Sequence, residues 1–329
     1  MYSALRPLLF RLDPERAHEL VVKSLKLFQS TPPLLGLLRT LNRLPPAPVE
    51  VAGLKFRNPV GLAAGFDKDA ELLPALAALG FGFIEAGTVT LRPQPGNPKP
   101  RIFRYPAQEA LVNRLGFNNR GAEDAARRLE KMPKLGIPLG INVGKNAATA
   151  LEDAPQEYAA CVALLAPFAD YLALNISSPN TADLRRMHEP DRLRALLDAV
   201  LAKTGNKPVF LKVSPDLGDG ELGSVARLVV ERRVGLIATN TTVDRSGLPG
   251  LETGGLSGKP LKERALSSLR RLKELTGGKV PIIGVGGIFS AKDAKERMEC
   301  GADLIQVYTG FIYKGPAIVR EIVEDLVMD

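Results

Sequence analysis

The chain has 329 residues, 45% of them hydrophobic and 24% charged, a composition that suits a globular protein with its own core. A formal net charge of +8 fits an anionic substrate or membrane surface, but no dense basic run with interleaved aromatics is present, which argues against nucleic acid. The longest uncharged stretch, residues 72 to 84, is shorter than the roughly 18 residues needed to cross a bilayer, and the first residues lack a signal peptide's long apolar centre.

The first 45 residues form the first expected unit. Asp13-Pro14 starts a helix, and over 15 to 28 Leu20, Val21, Ser24, Leu25 and Phe28 share one face. Residues 33 to 44 repeat the pattern with Leu34, Leu35, Leu37, Leu38, Leu41 and Leu44. Seven Lys or Arg stand against three acids in residues 1 to 45, so two short basic amphipathic helices are expected. Such helices suit a membrane surface; capping the base of the next domain is the alternative.

From residue 59 onward short apolar segments alternate with helical periodicity. Strands are predicted at 59 to 65, 81 to 90, 138 to 144, 171 to 176, 208 to 214, 235 to 241, 281 to 287 and 304 to 309, with helices at 121 to 132, 153 to 165, 190 to 203, 219 to 233, 259 to 276, 290 to 299 and 316 to 327. Eight buried strands alternating with helices predict a closed (β/α)8 TIM barrel over 46 to 329, with an open doubly wound sheet as the alternative. The long connections 91 to 120 and 242 to 260 both follow strands, which places them at the rim where barrel sites are built.

The strand ends carry polar residues that a core does not need: Lys68, Thr88, Asn142, Asn175, Ser178, Lys212, Thr239 and Asn240. Burying so many amides and ammonium groups unpaired is unfavourable, so a shared polar ligand is expected. Gly286-Gly287 and Tyr308-Thr309-Gly310, after strands 7 and 8, suit a phosphate held by backbone N–H groups. Histidines occur only at 18 and 188, and Cys161 and Cys300 have no ligand spacing, so neither a metal site nor a Ser-His-Asp triad is expected. The two cysteines read as buried packers in a reducing compartment. Lys212, inside an apolar strand, is either a Schiff-base lysine or a fixed charge beside an anionic cofactor.

Several motifs together resemble the dihydroorotate dehydrogenases, flavin enzymes of pyrimidine biosynthesis, and among them the quinone-dependent class 2. They include DPERAH (13 to 18), GLAAGFDKD (61 to 69), PQPGNPKPRIFR (93 to 104), NRLGFNN (113 to 119), INVGKN (141 to 146), NISSPNT (175 to 181), ATNTT (238 to 242), GGLSG (254 to 258), PIIGVGGI (281 to 288) and GFIYKGP (310 to 316). The resemblance covers nearly the whole chain.

It implies one FMN across the barrel mouth, held by Ala64, Gly65, Phe66, Asp67, Lys68, Thr88, Asn142, Asn175, Lys212, Thr239, Gly258, Gly287, Tyr308 and Thr309. It further implies dihydroorotate bound by Lys68, the loop Asn113, Arg114, Leu115, Gly116 and Phe117, and by Asn175, Asn180, Asn240 and Thr241. Ser178 would be the base that removes a proton from C5 of dihydroorotate; read from the sequence alone, it is a turn-capping serine. The N-terminal unit would dock on the cytoplasmic face of the cell membrane and admit a membrane quinone past His18, Arg104 and Tyr308, with the protein acting as a monomer. Where the family continues SPNT with Pro-Gly-Leu-Arg, this chain has Ala182-Asp183-Leu184-Arg185, so gating of the Ser178 loop is open to difference. A barrel lyase using Lys212 on a phosphorylated substrate and a membrane-binding module without activity are the competing expectations.

Overall fold

The computed structural model describes residues 2–246, 248 and 250–328. Eight parallel strands close into a barrel: β1 Val60–Leu62, β2 Phe83–Val89, β3 Leu139–Val143, β4 Tyr171–Asn175, β5 Val209–Lys212, β6 Gly235–Ala238, β7 Ile282–Val285 and β8 Leu304–Val307. Each pairs with its neighbour in sequence, and β8 pairs with β1 through Ile305 opposite Val60, which closes the barrel and excludes the open sheet. Every strand falls inside a predicted segment but ends earlier at its C-terminal side, because the chain there turns outward to build the site.

The barrel interior is filled by rings rather than left open. Phe83, Tyr171 and Phe210 point inward from β2, β4 and β5, with ring centroids 6.3 and 5.3 Å apart. Neighbouring strands make room for them: a Cβ on Gly61 would lie 2.3 Å from the Phe83 ring, and one on Gly140 would lie 2.0 Å from that of Tyr171. A short antiparallel hairpin, Val49–Val51 and Leu54–Phe56, closes the barrel floor, and its Phe56 packs edge-on against Phe83 at 5.3 Å. Sequence periodicity gives no hint of this hairpin, since its strands have three residues each.

Both long connections acquire structure only by meeting. Ile102–Tyr105 and Ala110–Asn113 come from the first and Gly255–Gly258 from the second, and together they form a three-stranded antiparallel sheet. Three strands of four residues, one of them from a segment over a hundred positions away, carry too little local pattern to be predicted separately.

Three helices precede the barrel: α1 Tyr2–Leu9, α2 Pro14–Ser30 and α3 Pro32–Leu41. α2 starts as expected, with the Asp13 carboxylate accepting from the N–H groups of Glu15 and Arg16 at 3.0 and 3.1 Å. α1 was not predicted; it is held by the Tyr2 hydroxyl donating to the Ile312 carbonyl and by Arg6 donating to that of Tyr313. α2 is tied to the barrel by an ion pair between Glu15 and Arg101 at 2.9 Å.

Candidate active site

A cavity of about 970 Å³, including its open mouth, lies at the C-terminal end of the barrel. It is lined by most of the residues that the sequence singles out: Ala64, Gly65, Lys68, Thr88, Asn113, Leu115, Gly116, Phe117, Asn175, Ser178, Asn180, Lys212, Thr239, Asn240, Thr241, Gly258, Gly287, Tyr308 and Thr309. Strand order explains the convergence, because successive parallel strands deliver their last side chains to one rim.

Four of the residues expected at the cofactor and substrate stand elsewhere. Asn142 is fully buried beneath the cavity, donating to Glu85 at 2.7 Å and accepting from Thr88 at 2.6 Å. The Asp67 carboxylate turns away to accept from the N–H groups of Glu71 and Leu72, both at 2.8 Å, and burial raises its pKa to about 6. Phe66 packs on the His18 and Phe311 rings at 5.1 and 5.5 Å. Arg114 reaches outward to Glu252 at 2.9 Å and lies over the Phe103 ring. Of the residues expected near the quinone path, Arg104 sits with its guanidinium 4.2 Å from the Phe10 ring and donates to the Phe10 carbonyl at 3.0 Å. His18 is beside Phe66 and Lys68, and burial followed by the Lys68 charge lowers its pKa to about 4, so its imidazole is neutral at pH 7.

Polar side chains of the floor are partly paired with one another and partly free for a ligand. Asn175 donates to Thr88 at 3.0 Å, and Asn240 donates to Asn175 and Ser177 at 3.1 and 3.0 Å. Ser178 is almost fully buried, its oxygen accepting from the N–H of Asn180 at 3.2 Å, so it does cap the turn, yet it also faces the cavity. Lys68 makes no ion pair among the described residues, and burial lowers its pKa to about 8, with the Arg101 charge adding to the effect. An ammonium in that state gains a counter-ion when a carboxylate enters.

Sequence reading missed Glu85. It is a lone acid in the apolar strand β2, fully buried, and it gathers Asn142 and Gln306 at 2.7 Å each, the Tyr171 hydroxyl at 3.2 Å and the Lys212 ammonium at 3.8 Å. An acid amid six uncharged strand residues was the available signal. Gln306, also missed, lines the cavity with its Oε1 buried and unpartnered, an acceptor waiting for a ligand N–H.

These groups fit a flavin nucleotide. Among the described residues the backbone N–H groups of Gly287, Ile288, Thr309 and Gly310 donate to no protein acceptor, and all four residues line the cavity. The glycines themselves answer to a second demand. At φ 71° a Cβ on Gly287 would lie 2.4 Å from the Lys262 Cα, so the helix packed behind, and not only a ligand in front, requires glycine.

The departure at 182–183 also has a local account. Asp183 sits at φ 55°, the left-handed region that a glycine occupies freely and that Asp tolerates better than most residues. The turn is therefore retained without the glycine.

Known proteins bear the same stamp. The family model described as dihydroorotate dehydrogenase matches residues 47–328. A protein of Acidithiobacillus ferrooxidans named dihydroorotate dehydrogenase (quinone) is 50% identical over 99% of this chain and 94% of its own length. One of the same name from Aliivibrio fischeri is 47% identical over 99% of this chain and all of its own. The crystal structure of DHODH from Eimeria tenella in complex with ferulenol superposes with a TM-score of 0.84 at 36% identity, covering 96% of this chain and 91% of that one. With the closed barrel, the polar cavity and these relatives in agreement, the chain belongs to the dihydroorotate dehydrogenase family.

Proposed function

We propose that the protein oxidises dihydroorotate to orotate with FMN as its cofactor and passes the electrons to a membrane quinone. The observation that carries this reading is a single cavity holding an unpaired ammonium at Lys68, a ring of amides, free backbone donors at Gly287 and Thr309, and a buried hydroxyl at Ser178. Bound FMN would supply the acceptor for the two electrons leaving C6 of the substrate.

The chain's own residues do the rest. Lys68 pairs with the substrate carboxylate, while Asn113, Asn175, Asn180 and Asn240 offer amides that match the ring's amide and carbonyl groups. Ser178 Oγ takes the C5 proton as its own hydroxyl proton is handed on to solvent at the cavity's open mouth. A serine hydroxyl is a weak base in water, so the role demands a water-poor site, and Ser178 is only 6% exposed. Lys212, paired with Glu85, presents a fixed positive charge beside the cofactor that favours negative charge arriving there. Gly287, Ile288 and Thr309 hold the FMN phosphate by their N–H groups. Every residue in this scheme comes from one chain, so a monomer suffices.

The N-terminal 45 residues act as a membrane-docking unit distinct from the barrel of 46–329. Leu5, Leu8, Leu12, Leu20, Leu27, Leu37 and Leu41 are 41 to 60% exposed, an apolar face unusual for a surface in water. No helix among the described residues is long and apolar enough to cross a membrane, which agrees with docking at the surface of the cytoplasmic leaflet. His18, on α2, packs on Phe66, and Arg104 donates to the Phe10 carbonyl beside α1, contacts that support a quinone path between these helices and the barrel toward Tyr308.

The deciding experiment is an absorption spectrum of the purified protein before and after dihydroorotate is added under nitrogen. A flavin spectrum that bleaches supports the proposal. Colourless protein that borohydride traps covalently at Lys212 supports the lyase instead.

A further inference from the structure

We propose that Arg185 is a positioning residue for proton removal, an inference that rests on the reading of Ser178 as the base. Its guanidinium ties together the loops that leave three successive strands. Nε donates to the Ser177 carbonyl at 3.2 Å in the loop after β4, Nη2 donates to the Thr241 carbonyl at 3.2 Å in the loop after β6, and Nη1 meets Asp216 Oδ2 at 2.9 Å in the loop after β5. Ser177 immediately precedes Ser178, and Thr241 immediately follows Asn240. The Ser177 carbonyl belongs to the peptide that joins Ser177 to the base, and the Thr241 carbonyl belongs to a cavity-lining residue next to Asn240.

Asp216 is itself immobilised. It accepts from the Val243 N–H at 3.0 Å and from the Thr242 hydroxyl, and Arg264 stands 3.7 Å away. Arg185 is anchored at its own backbone, where its carbonyl meets His188 Nδ1 at 2.7 Å. The planar fork of an arginine serves three acceptors in fixed directions, which the single nitrogen of a lysine does not. Orientation of the Ser178 hydroxyl relative to Asn240 is thus set from outside the cavity. This matters because a displacement of about 1 Å at a reacting group slows a reaction on the order of 100-fold.

The clamp also answers the question raised by Ala182-Asp183. A turn without the proline has less stiffness of its own, and Arg185, two residues beyond Asp183, fixes the loop from its far end.

The test uses the full, flavin-loaded chain and separates the half-reactions: bleaching of the flavin by saturating dihydroorotate, and reoxidation of dithionite-reduced protein by a short-chain quinone. Arg185→Ala is expected to slow bleaching roughly 10- to 100-fold with reoxidation unchanged, and added guanidinium is expected to restore part of the rate. Arg185→Lys, which keeps the charge, is expected to remain near the alanine variant. Bleaching at the parent rate in Arg185→Ala, full recovery with lysine, or equal slowing of both half-reactions would each overturn the proposal. Should Arg185→Ala fail to bind flavin, Asp216→Asn is measured in its place; it loosens the guanidinium without removing it, and bleaching at the parent rate there overturns the proposal too. Ser178→Ala is run alongside: if it bleaches at the parent rate, the assignment of the base has failed, whereas a slow Ser178→Ala beside a full-rate Arg185→Ala sinks only the positioning role.

Discussion

Lys212 Nζ lies 3.8 Å from Glu85 Oε1, and the Glu85 side chain is wholly inaccessible while that of Lys212 is 7% exposed. Lys212 lines the cavity, and Glu85 is buried. Removing one partner from a buried ion pair strands the other without compensation, at a cost of about 3 to 5 kcal/mol. Glu85→Leu is therefore expected to lower stability by about that amount, read from denaturant midpoints. Glu85→Gln should cost less, because Gln306, whose Oε1 has no partner, can turn its amide to accept from the new side chain. Equal losses for the two variants would contradict this account.

Ser178→Ala removes one hydroxyl that accepts a single hydrogen bond, from the Asn180 N–H. The loss of that bond costs about 1 kcal/mol of stability. Loss of the base costs far more in rate, and we expect flavin reduction by dihydroorotate to slow by roughly 100-fold or more while bound flavin per chain is unchanged. Stopped-flow absorbance at saturating substrate is the measurement; reduction at the parent rate would eliminate the assignment.

Lys68 sets a pH dependence. Its pKa is held down to about 8, chiefly by burial, so the free protein loses this ammonium as pH rises through 8. Carboxylate binding needs the protonated form, hence kcat/KM for dihydroorotate should fall above about pH 8 while kcat, measured with the site filled, falls less. Lys68→Met should abolish that limb of the profile along with most of the affinity. A limb that persists in Lys68→Met would assign the ionisation elsewhere.

The leucine-rich face predicts behaviour at a lipid surface. Replacing Leu8, Leu27 and Leu37 together with Ser, all of them more than half exposed, should cost the barrel little stability. Each apolar side chain withdrawn from a bilayer forfeits roughly 1.5 to 3 kcal/mol at full burial, so co-sedimentation with anionic liposomes should drop sharply. Turnover with membrane quinone should fall in step, and bleaching by dihydroorotate should not. Unchanged liposome binding would mean that this face has another partner.

The sequence by itself determined the architecture and the inventory of the cavity. Eight short apolar segments alternate with stretches of 3.6-residue period, and parallel strands buried on both faces admit few arrangements, so the closed barrel was legible. The polar residues at strand ends were legible too, since apolar strands have no local use for Asn175, Thr88 or Lys212. Tertiary structure decided which of them share a surface. Asn142 alternates with its neighbours toward the barrel interior and is consumed by Glu85 and Thr88, while Asp67 and Phe66 turn away to cap a chain segment and pack on α2. Pairings across 57, 221 and 31 positions, those of Glu85 with Asn142 and Gln306 and of Arg185 with Asp216, leave no periodic trace along the chain. A hydrogen bond depends on where two atoms lie in space, and only the closing of the barrel brings such atoms together.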